Sequence, residues 1–521
     1  MKIRTVKTSS GSIAVQVVEY VQRKTKILSH IGSARNEDEL LKLKQKAILW
    51  INNNSKQSLL FKDLPASIDN FFSNNSVAII NSYSDNIVKE KYKSIGSRYQ
   101  LLYDSLINIA DLFGFRSLNQ TKQVQLFLDL VIARIVEPES KFQSLLNLQR
   151  DFAINHQYRT LSRNLKHFST LKDAVELRIV EVAKSHFGFD FNLVFYDLTT
   201  LYFESFKTDE VRKIGFSKDN KSSNPQVMIG LLVNSDGFPI SYQFFSGNKF
   251  EGHTLLPSIL DLKKKYKINN LTLVADSAML SDDNINLLEV NKFGYIVASR
   301  TANLKIELIQ EISKKLNQQD KATIRIATKN KGTLICSFCK KRYNKEKIEL
   351  EKQIEKANHY LKNPNSAEII KRAKFLKNSN SKLELNQPLI IKYKLLLGIK
   401  GYHTNRADQL TDNEIINHYK NLWQVEKAFR ISKTDLKIRP IYHHEECTIK
   451  AHLVICFTAL AMSKYIEIKT KKSIKSVIRE LKTSINSVII NKSTNQQIIL
   501  ESEISDEIKK ILKQLNADLS H

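Results

Sequence analysis

HYKNLWQVEKAFRISKTDLKIRPIYHHE, residues 418–445, is the stretch on which the reading of this chain turns. Written on one continuous helix, Ile415, Tyr419, Leu422, Glu426, Phe429 and Lys433 follow one another at steps of three or four, so they share a face. At ~100° per residue, Tyr419 and Lys433 each lie about 20° from Glu426, and Leu422 about 40° from it. Packing explains Leu, Tyr and Phe on such a face. It does not explain a Glu and a Lys among them.

Outward from this helix the text changes character. After it, TIKAHLVICFTALAMSKYIEI reads as helix; before it, PLIIKYKLLLGIK (388–400) reads as strand. Further upstream, NLVFYDLTT, PQVMIGLLVNSDGFPISYQFF, NLTLVADSAML and FGYIVASR are short apolar runs bounded by turn residues, with a helical LLPSILDLKKKY between the second and third. Strands alternating with helices predict an α/β domain with a mixed sheet. Residues 301–388 form a long basic insert, in which NKEKIELEKQIEKANHYL and AEIIKRAKFLK read as a charged helical pair. Residues 96–187 carry strongly helical periodicity, residues 2–34 read as a strand hairpin followed by a helix from Glu37 to Ile51, and residues 52–76, rich in Asn and Ser, read as a loose connection.

Composition bounds the partners. With 81 Lys+Arg against 53 Asp+Glu, the net charge of +28 on a chain of 521 residues with 42% apolar content points to a globular protein that meets a polyanion, nucleic acid ahead of an acidic membrane. The N-terminus has no unbroken apolar region of a secretory signal, and the longest apolar run, AHLVICFTALAM, falls short of the roughly 20 residues of a spanning helix. The expected location is cytoplasmic, with no membrane partner. Cys336 and Cys339 form a lone CxxC without a second ligand pair, which reads as buried or incidental thiols.

Two carboxylates end apolar runs: Asp197 after Leu193-Val194-Phe195-Tyr196, and Asp276 after Leu273-Val274-Ala275. A carboxylate at the end of a buried strand needs solvent, a partner or a metal. Either one alone reads better as common turn chemistry than as a site. On neighbouring parallel strands the two would reach one sheet edge, where ligands of open α/β sheets bind, and Glu426 on the mixed helix face could join them. Three convergent carboxylates repel unless a cation sits among them, and Mg²⁺ fits because it takes a few carboxylates and keeps waters and phosphate oxygens. Two such ions (Mn²⁺ as a substitute) about 4 Å apart can activate a water or hydroxyl and stabilise the leaving oxygen of a phosphodiester. Lys433 reads as a phosphate or base contact, or as an ordinary helix-end lysine. Trp423 and Tyr419 read as stacking platforms for an unpaired base, or as core aromatics.

These residues resemble the DDE transposases of bacterial insertion sequences, in the group with a Tyr-x2-Arg-x3-Glu-x6-Lys signature, here Tyr419, Leu422, Glu426 and Lys433. The similarity extends to FYDLTTLYFES, GFSKDNKSSNPQVMIGLLV, SGNKFEGHT, VADSAMLSDDNINLLE, HIGSARNEDEL and ARIVEPESKF. It implies an RNase H-like core with Asp197, Asp276 and Glu426 as a metal-binding triad, and an insertion ahead of the Glu helix. The implied domains are 1–95 (hairpin and helix), 96–188 (helical, DNA-end binding), 189–300 (first part of the core), 301–410 (insertion) and 411–521 (Glu helix and C-terminal helices). The implied activity is metal-assisted cleavage at inverted-repeat ends and strand transfer into target DNA, by a homodimer on double-stranded DNA, with Tyr419 and Lys433 on the terminal DNA. Leu422 departs from the signature Arg; Arg430, about 40° from Glu426 on the helix, is the candidate replacement. Two other readings compete: a transposon-derived DNA-binding protein without catalysis, and a stand-alone RNase H-like nuclease. Intact carboxylates weigh against the first, and the large helical region and insert against the second.

Overall fold

The computed structural model describes residues 2–8, 12–21, 24–34, 39–40, 43–44, 46–47, 78–79, 92–118, 122–217, 221, 223–279, 281–329, 331–362, 374–379 and 382–516. The chain divides into two compact units, Met1–Asn75 and Ser76–His521.

In the first unit, β1 (Lys2–Lys7), β2 (Ile13–Val21) and β3 (Lys24–Ala34) form an antiparallel meander. The expected hairpin is therefore corrected to three strands: the antiparallel ladder of β2 with β3 runs from Val21–Lys24 to Ile13–Ala34, and Leu28 and Ile31 of β3 pack on the shared core. Val15, Val17 and Ala47 form its small core. Helical residues occur at 39–40, 43–44 and 46–47, while the rest of the expected Glu37–Ile51 helix and the connection at 52–76 lie outside the described residues.

Among its described residues the second unit opens with the strands β4 (Ala78–Ile79) and β5 (Tyr92–Arg98), then the helices α1 (Gln100–Leu112), α2 (Lys122–Val136), α3 (Lys141–Phe152), α4 (Tyr158–Phe168) and α5 (Lys172–Phe187). Gly188, at φ 60°, ends α5 in the left-handed conformation that glycine adopts without strain. The sheet domain follows with β6 (Leu193–Tyr202), β7 (Gln226–Val233), β8 (Pro239–Ser246), α6 (Leu255–Tyr266), β9 (Thr272–Ala275), α7 (Asp282–Val290) and β10 (Gly294–Ala298). Parallel β6, β9 and β10 are flanked by the antiparallel pair β7–β8, in the order β8-β7-β6-β9-β10. This is an RNase H-like sheet.

Between β10 and the helix of the opening stretch the chain inserts α8 (Ile306–Leu316), β11 (Thr323–Ala327), β12 (Thr333–Phe338), α9 (Lys340–Lys362), β13 (Leu376–Ser379), β14 (Lys382–Leu385), α10 (Gln387–Leu396) and β15 (Ile399–Thr404). β15, β12 and β11 extend the sheet beyond β10 to eight strands. Two sequence expectations are corrected here. PLIIKYKLLLGIK is mostly α10, because Asn386 caps it and Pro388 suits a first turn; only Ile399 onward is strand. Of the charged pair, α9 is a helix, but Leu376–Lys377 of the second segment are strand and residues 367–373 lie outside the described residues. Cys336 packs inside the insertion's own core with its thiol pushed up to about 12 by burial, while Cys339 is exposed.

The last part of the chain comprises α11 (Asp412–Lys420), α12 (Trp423–Arg430), α13 (Glu446–Thr470), α14 (Ile474–Leu481), β16 (Asn486–Asn491), β17 (Gln497–Leu500) and α15 (Asp506–Asn516). The C-terminal text expected as helices alone thus contains two strands; β16 pairs with β5 and β17 with β4. α13 is 25 residues long and, at a mean hydropathy of 1.4, apolar enough to cross a membrane. Its apolar window is 94% buried inside the protein, where it packs against α2, α4 and β8 as the central core helix.

Candidate active site

The two aspartates meet through strand register. β6 pairs with β9 in parallel, Leu193 with Thr272, Val194 with Leu273 and Phe195 with Val274. Carried two residues on, the same offset sets Asp197 beside Asp276. β10 continues the row, since Val297 pairs with Ala275 and Ala298 with Tyr402 of β15. Asp197, Asp276, Ala298 and Tyr402 therefore stand side by side across four strands, and residues in one row point to the same face.

Asp276 directly follows the last residue of β9, as expected, and is exposed. Asp197 differs. It lies in the middle of β6, which runs on to Tyr202 because its antiparallel ladder with β7 continues to the Tyr202–Gln226 pair after that with β9 has ended at Phe195. Its neighbour Tyr196 points to the opposite face, across Gly230, and its hydroxyl donates to Thr254. A Cβ at Gly230 would stand 2.4 Å from that hydroxyl, so the bare glycine is what lets Tyr196 lie there and Asp197 face the other way.

On that other face lie α11 and α12. A capping box of Thr411 and Glu414 starts α11. The single helix expected for the opening stretch is broken: α11 ends at Lys420, and the amides of Leu422, Gln424 and Val425 bond three residues back, to Tyr419, Asn421 and Leu422. These tighter turns shift the rotation per residue, so the shared wedge of Tyr419, Leu422, Glu426 and Lys433 does not survive. Tyr419 and Leu422 are buried, at 8% and 6% exposure. Glu426 is exposed on α12 in a stripe with Trp423 and Arg430. After Arg430 the helix widens into a π-turn, Ile431–Asp435, in which Lys433 is half-buried and lines a small apolar pocket with Thr199, Leu201, Phe429 and Phe457.

Tyr419 links the parts. Its ring lies 5.0 Å from that of Tyr402, and its hydroxyl donates to Oδ1 of Asp276 at 3.4 Å. Burial pushes the Tyr419 phenol up, and the negative charge and hydrogen bond of Asp276, with Glu426 behind, push it further. Asp276 Oδ1 also accepts the Ser277 amide at 2.6 Å. Lys400, unmarked in the sequence reading, places its ammonium 4.3 Å from the centre of the Tyr419 ring. Burial and the Arg342 charge hold Lys400 below its ordinary value, against the pull of Asp276, Glu426 and Glu346. Asp276 and Glu426 thus act on the same two groups. Alternation of Lys400, Tyr402 and Thr404 along β15 would have marked Lys400, but only with the start of that strand placed at Ile399.

α12 is braced from behind. Lys427 pairs with the buried Glu467 of α13 at 3.5 Å, and Glu467 also accepts the Ile474 amide at 3.1 Å.

The Transposase DDE domain family matches residues 189–462, more than half of the chain and the whole span from β6 to the middle of α13. The chain belongs to the DDE-domain transposases. No curated protein matches the chain. Among solved structures, this transposase is similar to a piggyBac transposase in a synaptic complex with hairpin DNA, at 10% identity and a TM-score of 0.38, over 81% of this chain and 80% of that one. It is also similar to the Mos1 transposase in a paired-end complex with the left transposon end, at 11% identity and a TM-score of 0.16, over 49% of this chain and 77% of that one.

A divalent metal is implied by the family, and the donor set suits a hard cation: carboxylate oxygens from a strand, a strand end and an exposed helix face. Among the described residues no three His, Cys, Asp or Glu side chains converge closely enough to hold a metal as they stand. Asp197 and Asp276 in one row, with Glu426 exposed on the helix over that face, are the carboxylates that would supply such oxygens.

Proposed function

We propose that this transposase belongs to the Tyr-Arg-Glu-Lys group of bacterial insertion sequences, cleaves DNA at the inverted-repeat ends of its element and joins them to target DNA. The observation that carries this reading is the β6–β9 register, which sets Asp197 beside Asp276 on the face that α12 covers. Asp197, Asp276 and Glu426 would hold Mg²⁺, two ions by the family's chemistry, with Mn²⁺ as a substitute. Bound there, the metal would activate the attacking water or 3′-hydroxyl and stabilise the departing oxygen.

The chain's own residues do the rest. Tyr419 fixes the rotamer of Asp276 through its hydroxyl, a positioning role in place of the direct DNA contact expected for it. Trp423 and Arg430, on the open stripe with Glu426, contact the DNA end, one by stacking and the other through phosphate. Lys433 reaches DNA from the π-turn. Recognition of the end falls to the helices of residues 96–188, where α4 turns Arg159 and Arg163 outward beside the exposed Tyr158 and Phe142. The active form is a homodimer on paired double-stranded ends, in the cytoplasm, and the charge of +28 suits that polyanion.

The test is a supercoiled plasmid carrying the flanking inverted repeats, incubated with the purified protein and Mg²⁺. Asp197→Asn, Asp276→Asn and Glu426→Gln each abolish cleavage and retain end binding. Cleavage at the wild-type rate in any one of them overturns the triad.

A further inference from the structure

We infer that Lys400 binds the DNA phosphate at the carboxylate centre, supplying from a strand the positive charge that the helix lacks at Leu422. This rests on the proposed function. The sheet supplies the placement. β15 runs antiparallel to β10, with Tyr402 opposite Ala298, and the Ser299 amide donates to the Gly401 carbonyl at 2.8 Å. Lys400 is two residues before Tyr402, so it shares the face of Tyr402, Asp276 and Asp197. It stands one step further along, toward the edge at which β9 and β10 end.

The other basic candidates lie elsewhere. Position 422 is packed inside, so no side chain there reaches DNA without leaving the core. Lys433 lines an apolar pocket with Thr199 and Leu201, past Asp197 along β6. Arg430 lies one turn past Glu426 on the exposed stripe of α12. Lys400 alone among these four stacks on the ring whose hydroxyl holds Asp276, and it is acted on by both Asp276 and Glu426. An ammonium on a four-carbon stem, standing over the Tyr419 ring whose hydroxyl holds Asp276, is within a side chain's reach of a phosphodiester held at that aspartate.

The insertion holds that strand in place. Glu346 of α9 accepts the Gly398 amide at 2.8 Å, just before β15 begins. Gly398 has φ 78°, and a Cβ there would stand 2.7 Å from the Phe338 ring of β12. The insertion therefore contributes to the active site through the residue its last strand presents.

The experiment uses the full chain with Lys400→Met and Lys400→Arg. In end binding measured without metal, Lys400→Met lowers the slope of log affinity against log salt by about 0.9, one phosphate contact's worth. A neutral methylphosphonate at the scissile position weakens binding by the wild type and causes no further loss in Lys400→Met. In cleavage, Lys400→Met falls by about 10²-fold, and Lys400→Arg recovers most of it. An unchanged salt slope, or a methylphosphonate effect of full size in Lys400→Met, overturns the inference even if cleavage falls, because a packing defect would do the same. Asp276→Asn on the same plasmid separates the two readings: if it still cleaves, the proposed function fails; if it does not and Lys400→Met behaves as wild type, this inference alone fails.

Discussion

The hydroxyl of Tyr419 donates to Oδ1 of Asp276 across a 3.4 Å gap, from a helix that ends one residue later to a strand that ended one residue before. The bond makes Tyr419 a strut for Asp276, which the proposed function assigns to the metal. Tyr419→Phe keeps the ring against Tyr402 and removes only this bond, so stability drops by about 0.5–1 kcal/mol, the low end for a single hydrogen bond. Cleavage falls at limiting Mg²⁺ and recovers at high Mg²⁺, with end binding unchanged. A matching loss of end binding would return Tyr419 to a direct DNA contact.

Restoring the signature arginine is expected to harm the protein. Leu422 is 6% exposed, so Leu422→Arg puts a guanidinium into the core without a partner and costs on the order of 3 kcal/mol. Chemical denaturation measures it. A variant as stable as the wild type and more active would mean that position 422 faces DNA.

The exposed stripe of α12 behaves in the opposite way. Arg430→Ala and Trp423→Ala leave stability within about 0.5 kcal/mol, as for surface positions, and reduce end processing. Cleavage at the wild-type rate in both would remove that stripe from the DNA interface.

Glu467 braces α12 through Lys427 and lies close to the buried Lys464, whose ammonium burial lowers to about 8. Glu467→Gln keeps an acceptor for the Ile474 amide and deletes the charge, leaving two lysines opposed. The expected loss is about 3 kcal/mol, as when one partner of a buried pair is removed. Cleavage falls more than end binding, because Glu426 is carried by the same helix turn as Lys427.

Lys141, on α3, is enclosed with His452 and Arg134; burial first, and the Arg134 charge second, lower its ammonium from 10.5 to about 7. Between about 7 and 10.5 the unfolded chain holds a proton that the folded chain has released. Stability from this site therefore rises with pH across that window and is lost below it. Thermal unfolding from pH 6 to 10 shows the rise in the wild type, and Lys141→Met flattens it. Parallel curves for the two proteins would place the titration elsewhere.

Much of the site is legible as text. Asp197 and Asp276 announce themselves as carboxylates closing apolar runs, Glu426 as a charge on an apolar face, and the alternation of strands with helices after Gly188 as an α/β domain. Their spacing of 79 residues even equals the offset of the β6–β9 ladder, though nothing in the text says that those two strands are neighbours. The helix break is invisible in the same way. Residues 415–433 fit one helical period, and what overrides it is the set of three-residue turns at Leu422, Gln424 and Val425.

Local patterning thus determined the elements of the core, their order, the three acidic residues and the likeness to the DDE-domain family, because side-chain periodicity and turn chemistry act over a few residues. Tertiary packing decided the rest. The row from Asp197 to Tyr402 exists only once four strands drawn from residues 193–404 lie side by side, and Lys400 stands over the Tyr419 ring only because the insertion returns to the sheet as β15. Tyr419 is buried against Asp276, and Glu426 stands exposed, because the chain tightens between them. Such pairings depend on contacts distant in sequence, which no local period records.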